Sequence, residues 1–163
     1  MIDLELLERE GPLVCPRDRD LLLDAWAEDY RFDRHDLVVG HLSGTGTDLA
    51  HDISERLAQA GIDHAFTGLP AAWALDRWAR FRLVSLYVDG DPRAAADLLG
   101  LRRNERGANV QIIGPDDAGV LAGRGVRDGL ACVAPVQVYL DLQHLPERAA
   151  EAAEQLREDG SLG

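Results

Sequence analysis

The stretch Phe81-Arg82-Leu83-Val84-Ser85-Leu86-Tyr87-Val88-Asp89-Gly90-Asp91-Pro92 holds the clearest strand of the chain, closed by a turn. Phe81 to Val88 reads as a strand. Asp89-Gly90-Asp91 reads as the turn, and Pro92, whose fixed φ suits a first helical position, opens a helix from Arg93 to Leu99. Strand, tight turn and helix in immediate succession are what a sheet covered by helices requires.

Outward from this centre the alternation repeats. Upstream, Leu37 to Leu42 reads as a strand running into the loop Ser43-Gly44-Thr45-Gly46-Thr47. A helix follows, capped by Thr45 or Thr47, with Leu49, Ile53, Leu57 and Ala60 as its apolar stripe and Gly61 as its stop. Ile62 to Phe66 predicts a short strand, and Leu69 to Trp78 a helix after the turn at Gly68. Downstream, Val110 to Ile113 and Leu130 to Val133 predict strands, and Pro135 and Pro146 each open a final helix. At the N-terminal end, Ile2 to Glu10 fits a short amphipathic helix ended by Gly11-Pro12, and Arg17 to Tyr30 a second helix with Asp18 and Asp20 in its first turn. The expectation is a mixed α/β domain: a small sheet covered by helices, with residues 1–16 as an extension and 17–163 as the core.

Composition narrows the function classes. With 163 residues the chain suffices for one core. All 17 basic residues are Arg, against 29 acidic ones, for a net charge of −12. Phosphate neutralisation by clustered cations supplies most non-specific nucleic-acid affinity, so this chain should be repelled by DNA unless another segment binds it. Cys15 and Cys132 have no zinc or redox spacing and read as free buried thiols. No run approaches the ~18 apolar residues needed to span a bilayer, and no basic leader opens the chain, so a cytoplasmic protein is expected.

Each candidate site has a plainer reading. The loop Gly44-Thr45-Gly46 stands between strand and helix, where main-chain amides can hold a phosphate. It lacks the Gly-Lys-Ser/Thr of a P-loop, and Leu49 stands where a dinucleotide fingerprint needs Gly or Ala, so a turn is expected. Asp89 and Asp91 have the Asp-x-Asp spacing with which two carboxylates share a divalent metal, but a turn and a helix cap account for both. Asp116-Asp117 is likewise a turn. The histidines at 35, 41, 51, 64 and 144 share no helix face, and no Gly-x-Ser-x-Gly elbow surrounds any serine. Asn109, entering an apolar strand, and the i, i+4 pair Gln137 and Asp141 on an apolar helix are different: when buried they must find partners.

Taken together, Leu21-Leu22 to Trp26 and Tyr30, Ala65-Phe66-Thr67-Gly68 with Ala71-Ala72, Leu86-Tyr87-Val88 and Gly107-Ala108-Asn109-Val110 form a recognisable set. With them go Pro135-Val136-Gln137-Val138-Tyr139-Leu140-Asp141-Leu142, Arg148 and Glu151 to Glu154. The set, spread from Leu21 to Leu156, resembles the effector domain of AbiEi-family antitoxins of type IV toxin–antitoxin systems. The resemblance implies a transcriptional regulator whose partner toxin is nucleotidyltransferase-like, with DNA contacted through a separate winged helix that this sequence does not show before Leu21. It also implies a distant, catalytically empty nucleotidyltransferase-type core, since the strand Phe81 to Val88 carries no carboxylate. Thr67, Asn109, Gln137, Asp141 and Arg148 become the candidate polar cluster.

The leading expectation is thus a non-catalytic regulatory domain without cofactor or metal, acting by protein contact with a toxin or with itself. The rival is a metal-dependent nucleotidyl- or phosphoryl-transfer enzyme using Asp89, Asp91 and Asp116, with Gly44 and Gly46 at phosphate. A third reading is an orphan scaffold with Trp26, Trp73 and Trp78 in its core.

Overall fold

A computed structural model of the chain describes residues 18–77, 80–104 and 106–162, together with the main chain of 7–10 and 13–16. The chain divides into two compact units, Met1–Phe32 and Asp33–Gly163.

In the first unit β1 (Leu7–Glu10) pairs antiparallel with β2 (Leu13–Pro16), Glu10 opposite Leu13. This corrects the helix expected to run to Glu10; residues 1–6 lie outside the described ones. Gly11-Pro12, read as a helix stop, lies outside the described residues, and Leu13-Val14-Cys15 falls in the second strand. Helix α1 (Arg19–Asp29) opens on Asp18, whose side chain accepts from the Leu21 amide at 3.1 Å, so the acidic first turn includes a true cap. The side chain of Cys15 and the whole of Trp78 lie outside the described residues, while Trp26 and Trp73 are half-buried.

The second unit is built on a six-stranded mixed sheet. In chain order its elements are β3 (Asp36–Gly40), α2 (Gly46–Gln59), β4 (His64–Thr67), α3 (Gly68–Asp76), β5 (Val84–Val88) and α4 (Pro92–Leu99). Then come β6 (Val110–Gly114), the single turn α5 (Gly119–Ala122), β7 (Gly125–Arg127), β8 (Leu130–Cys132), α6 (Pro135–Leu142) and α7 (Ala149–Glu158). The strands lie in the order β3-β6-β5-β4-β8-β7. β5 runs parallel to β6 and β4 parallel to β8, while β3 with β6, β4 with β5 and β7 with β8 are antiparallel.

Every residue of β4, β5 and β6 is buried. Because successive side chains point to opposite faces, this means that both faces of the central sheet are covered. The helices do so through the stripes their spacing predicts: Leu49, Ile53 and Leu57 of α2 are fully or almost fully buried, and Ala149, Ala152, Ala153 and Leu156 of α7 are too. Ala60, expected to extend the α2 stripe, is exposed beside Gly61, which takes the left-handed φ of +72°. Pro92 and Pro135 open α4 and α6 as expected. The last helix begins at Ala149 rather than Pro146, because Glu147 takes a left-handed φ of +65° and delays it. The Glu147 carboxylate then accepts from the Arg82 and Leu83 amides at 3.2 and 2.9 Å, which fastens this corner to the lead-in of β5. The hairpin strand β7 and the turn α5 have no counterpart in the expectations from sequence.

Candidate functional site

The strand register sets a polar row into an apolar sheet. Thr67 of β4 lies opposite Ser85 of β5, and Ser85 lies beside Gln111 of β6. Ser85 Oγ donates to Gln111 Oε1 at 3.2 Å. Tyr87, two residues beyond Ser85, points to the same face. All four are buried.

Over this face α6 brings Asp141, which is completely buried. Thr67 Oγ1 donates to Asp141 Oδ2 at 2.5 Å and Tyr87 Oη at 2.7 Å, while Gln137 Nε2, one turn earlier on the helix, donates to Oδ1 at 3.0 Å. Three donors from two strands and one helix thus converge on a single carboxylate. A charge withdrawn from water needs such partners, and charge-assisted bonds are the stronger kind.

His35, just ahead of β3, extends the network. The Asp116 amide donates to His35 Nδ1 at 2.9 Å, so the neutral ring carries its proton on Nε2, 3.4 Å from Tyr87 Oη. The bonds then run one way: Asp116 N–H to His35, His35 Nε2–H to Tyr87, Tyr87 O–H to Asp141. The His35 and Tyr87 rings meet edge to face, with centroids 5.3 Å apart. Burial holds the His35 pKa below its ordinary 6.5, against the upward pull of the Asp141 and Asp116 carboxylates.

Of the five residues expected in a polar cluster, the structure brings together Thr67, Gln137 and Asp141. Asn109 is elsewhere. Buried between β3 and the glycine loop, it accepts from the Leu42 amide at 3.0 Å and donates to the Leu42 and Gly44 carbonyls at 2.8 and 3.3 Å. Arg148 is on the surface, where Nε and Nη2 meet Glu151 Oε2 at 3.1 and 2.8 Å. Tyr87, His35, Ser85 and Gln111 were not anticipated. One signal was available: Ser85 and Tyr87 stand two apart in the otherwise apolar β5, the spacing that puts both on one face, and Gln111 interrupts the apolar run of β6.

The residues of the rival reading are dispersed. Asp91 caps α4, its Oδ1 accepting from the Arg93 amide at 2.9 Å, and Arg93 also lies 3.7 Å from it. Asp89 donates its amide to the Asp63 carbonyl at 2.8 Å in the turn. Asp116 stands with the His35 network, and Asp117 accepts from the Gly119 amide at 2.7 Å. Gly44 and Gly46 take positive φ of +117° and +57°. The expected threonine cap is not made: Thr45 occupies the N-cap position of α2 without a side-chain bond. The loop lines a cleft of about 400 Å³ with Trp73, Arg80 and Phe81. Among the described residues no group of three His, Cys, Asp or Glu side chains is placed to hold a metal ion, and no helix is long and apolar enough to cross a membrane. Cys132 is buried with a free thiol whose pKa burial pushes up to about 11.

A family model described as "Transcriptional regulator, AbiEi antitoxin, Type IV TA system" matches residues 16–161. No curated protein and no solved structure matches the chain.

Proposed function

Starting from the chain's membership of the AbiEi antitoxin family of type IV toxin–antitoxin transcriptional regulators, we propose that it is a non-catalytic regulatory domain that works by contact with other protein surfaces, a toxin or its own copies. The family supplies a toxin as functional counterpart. The observation that carries the reading is the state of the buried cluster: Asp141 already accepts from Thr67, Tyr87 and Gln137. A carboxylate engaged in this way fastens α6 to the sheet, and a substrate would have to break those bonds to reach it. Asp91, the other carboxylate of interest, serves as the cap of α4.

One observation favours the rival, nucleotidyl or phosphoryl transfer: the cleft of about 400 Å³ that opens on Thr45, Gly46, Trp73 and Arg80. The two readings separate in one experiment. Calorimetry and thermal-shift assays with ATP, GTP and CTP in magnesium should give neither heat nor stabilisation. A saturable heat would establish the rival, since ligand at ~100 times Kd would add about 2.7 kcal/mol of stability. Gel shifts should show no tight binding of duplex DNA by this chain at physiological salt, in keeping with its charge of −12.

A further inference from the structure

The chain contains three Asp-Gly pairs, Asp89-Gly90, Asp128-Gly129 and Asp159-Gly160. A glycine after aspartate leaves the intervening amide nitrogen unshielded by a side chain, so that nitrogen can reach the aspartate's own Cγ when both groups are free to turn. Local sequence makes the three pairs alike at the reacting atoms. Their surroundings make them different.

Asp128 is held in two ways. Its Oδ1 accepts from Arg77 Nη2 at 2.6 Å. Asp128 and Gly129 also take φ of +53° and +76°, the left-handed pair that a two-residue hairpin turn between β7 and β8 requires. Asp159 is the C-cap of α7, in helical backbone with φ −71° and ψ −6°. Its amide donates to the Gln155 carbonyl at 3.0 Å, and its Oδ1 accepts from Gln155 Nε2 at 2.8 Å. At Asp89 only the amide is anchored, to the Asp63 carbonyl at 2.8 Å. Among the described residues nothing bonds to the Asp89 carboxylate or to the Gly90 amide. Both residues are exposed, and a Cβ on Gly90 would meet no atom within 4 Å.

We propose that Asp89 is a spontaneous modification site, at which the folded chain converts aspartate to isoaspartate ahead of the other two pairs. The Gly90 nitrogen attacks the Asp89 Cγ and forms a five-membered succinimide. One carboxylate oxygen leaves as water, taking the amide hydrogen and a proton from solvent. Water then opens the ring. Addition at Cγ restores aspartate; addition at the main-chain carbonyl leaves the chain running through Cβ and Cγ, with a new α-carboxylate beside it. The water lost in the first step is regained in the second, and nothing is oxidised or reduced. The product lengthens the main chain by one atom at a turn that has little room for it. Two residues on, the Asp91 Oδ1 caps α4 through the Arg93 amide at 2.9 Å, and Pro92 lies so close to β6 that a Cβ on Gly114 would stand 3.0 Å from its Cδ. Isomerisation therefore loosens the start of α4, and it does so whether or not the domain is an enzyme.

The test is to age the full chain at neutral pH and physiological temperature for several weeks, folded and in parallel in concentrated urea. Peptide mapping with electron-transfer fragmentation then places isoaspartate at each pair. Methyl transfer from labelled S-adenosylmethionine by an isoaspartyl carboxyl methyltransferase, which esterifies the new α-carboxylate, measures the total. In the folded chain Asp89 should isomerise at least about fivefold faster than Asp128 or Asp159, because a held carboxylate must first give up its bonds to reach the nitrogen. In urea the three rates should converge. Asp89→Glu, whose longer side chain closes such a ring far more slowly, should remove most of the label from the aged folded chain while keeping the far-ultraviolet spectrum. Isoaspartate appearing at 128 or 159 as fast as at 89 in the folded chain overturns the proposal. So does an Asp89 that reacts in urea and not in the folded chain, or one that leads by the same factor in both.

Discussion

Tyr87 is the residue on which the buried network turns, because its hydroxyl donates a hydrogen bond to Asp141 Oδ2 while lying 3.4 Å from His35 Nε2. Tyr87→Phe keeps the ring and its edge-to-face contact but takes one donor from a fully buried carboxylate. Chemical denaturation should register a loss of about 1.5–3 kcal/mol, the range for a bond to a charged group. Asp141→Leu strands the hydroxyls of Thr67 and Tyr87 together and should cost more. His35 makes the network sensitive to pH. Its folded pKa lies below the ordinary 6.5, so the unfolded chain binds the proton more readily. The stability this contributes is complete above about pH 6.5 and is lost as pH falls from there through the folded pKa. Protonation also puts a hydrogen on Nδ1, where the Asp116 amide needs an acceptor. Melting temperature should therefore fall between about pH 6.5 and 5 more steeply for the natural chain than for His35→Gln, and equal slopes would remove His35 from the account.

Among the elements, β3 and the loop that follows are held by close approach. A Cβ on Gly40 would stand 2.4 Å from the Arg102 carbonyl oxygen and 2.7 Å from Leu101 Cγ. Main chain cannot yield cheaply there, so Gly40→Ala should destabilise by about 1–3 kcal/mol in an unfolding titration, as overpacking does. A cost within ~0.5 kcal/mol would mean that the 101–103 segment gives way. The local signals that announce an element were legible wherever they were strong: the i, i+4 stripe of α2, the Pro92 and Pro135 openings and the apolar strand of β5 closed by its Asp-Gly-Asp turn all specify their own conformation. The N-terminal hairpin was not, because Leu-Glu-Arg-Glu suits helix or strand and only its partner decides. Half of the buried cluster was visible for a related reason. Gln137 and Asp141 meet by helical spacing alone. Tyr87 joins them only because β4 and β5 pair with Thr67 opposite Ser85, and His35 only because the 115–118 turn folds back on it; those are pairings of segments distant in sequence, which no local pattern contains. Asn109 was correctly seen as needing partners, but they proved to be the main chain of Leu42 and Gly44.

For the whole molecule the net charge of −12 is the dominant long-range force, and the described ion pairs that offset it are exposed ones. Pairs such as Arg93 with Asp36 at 2.8 Å and Arg77 with Asp128 at 2.6 Å contribute little individually in water. What remains is repulsion among acidic groups in excess over arginine, which opposes the compact state. Salt acts on both terms, weakening a few short attractive pairs and shortening the reach of the many repulsive ones; at 0.15 M the screening length is about 8 Å. Because the acidic excess is large and the pairs are exposed, the second effect wins. Raising ionic strength from about 0.02 to 0.2 M with sodium chloride at neutral pH should raise the melting temperature by about 2–4 °C, the shift that ~1 kcal/mol produces in a chain of this size. The same change should strengthen any association between two copies, since both carry the same excess. A melting temperature that falls with added salt would show that the surface pairs, and not the net charge, govern the electrostatics of this fold.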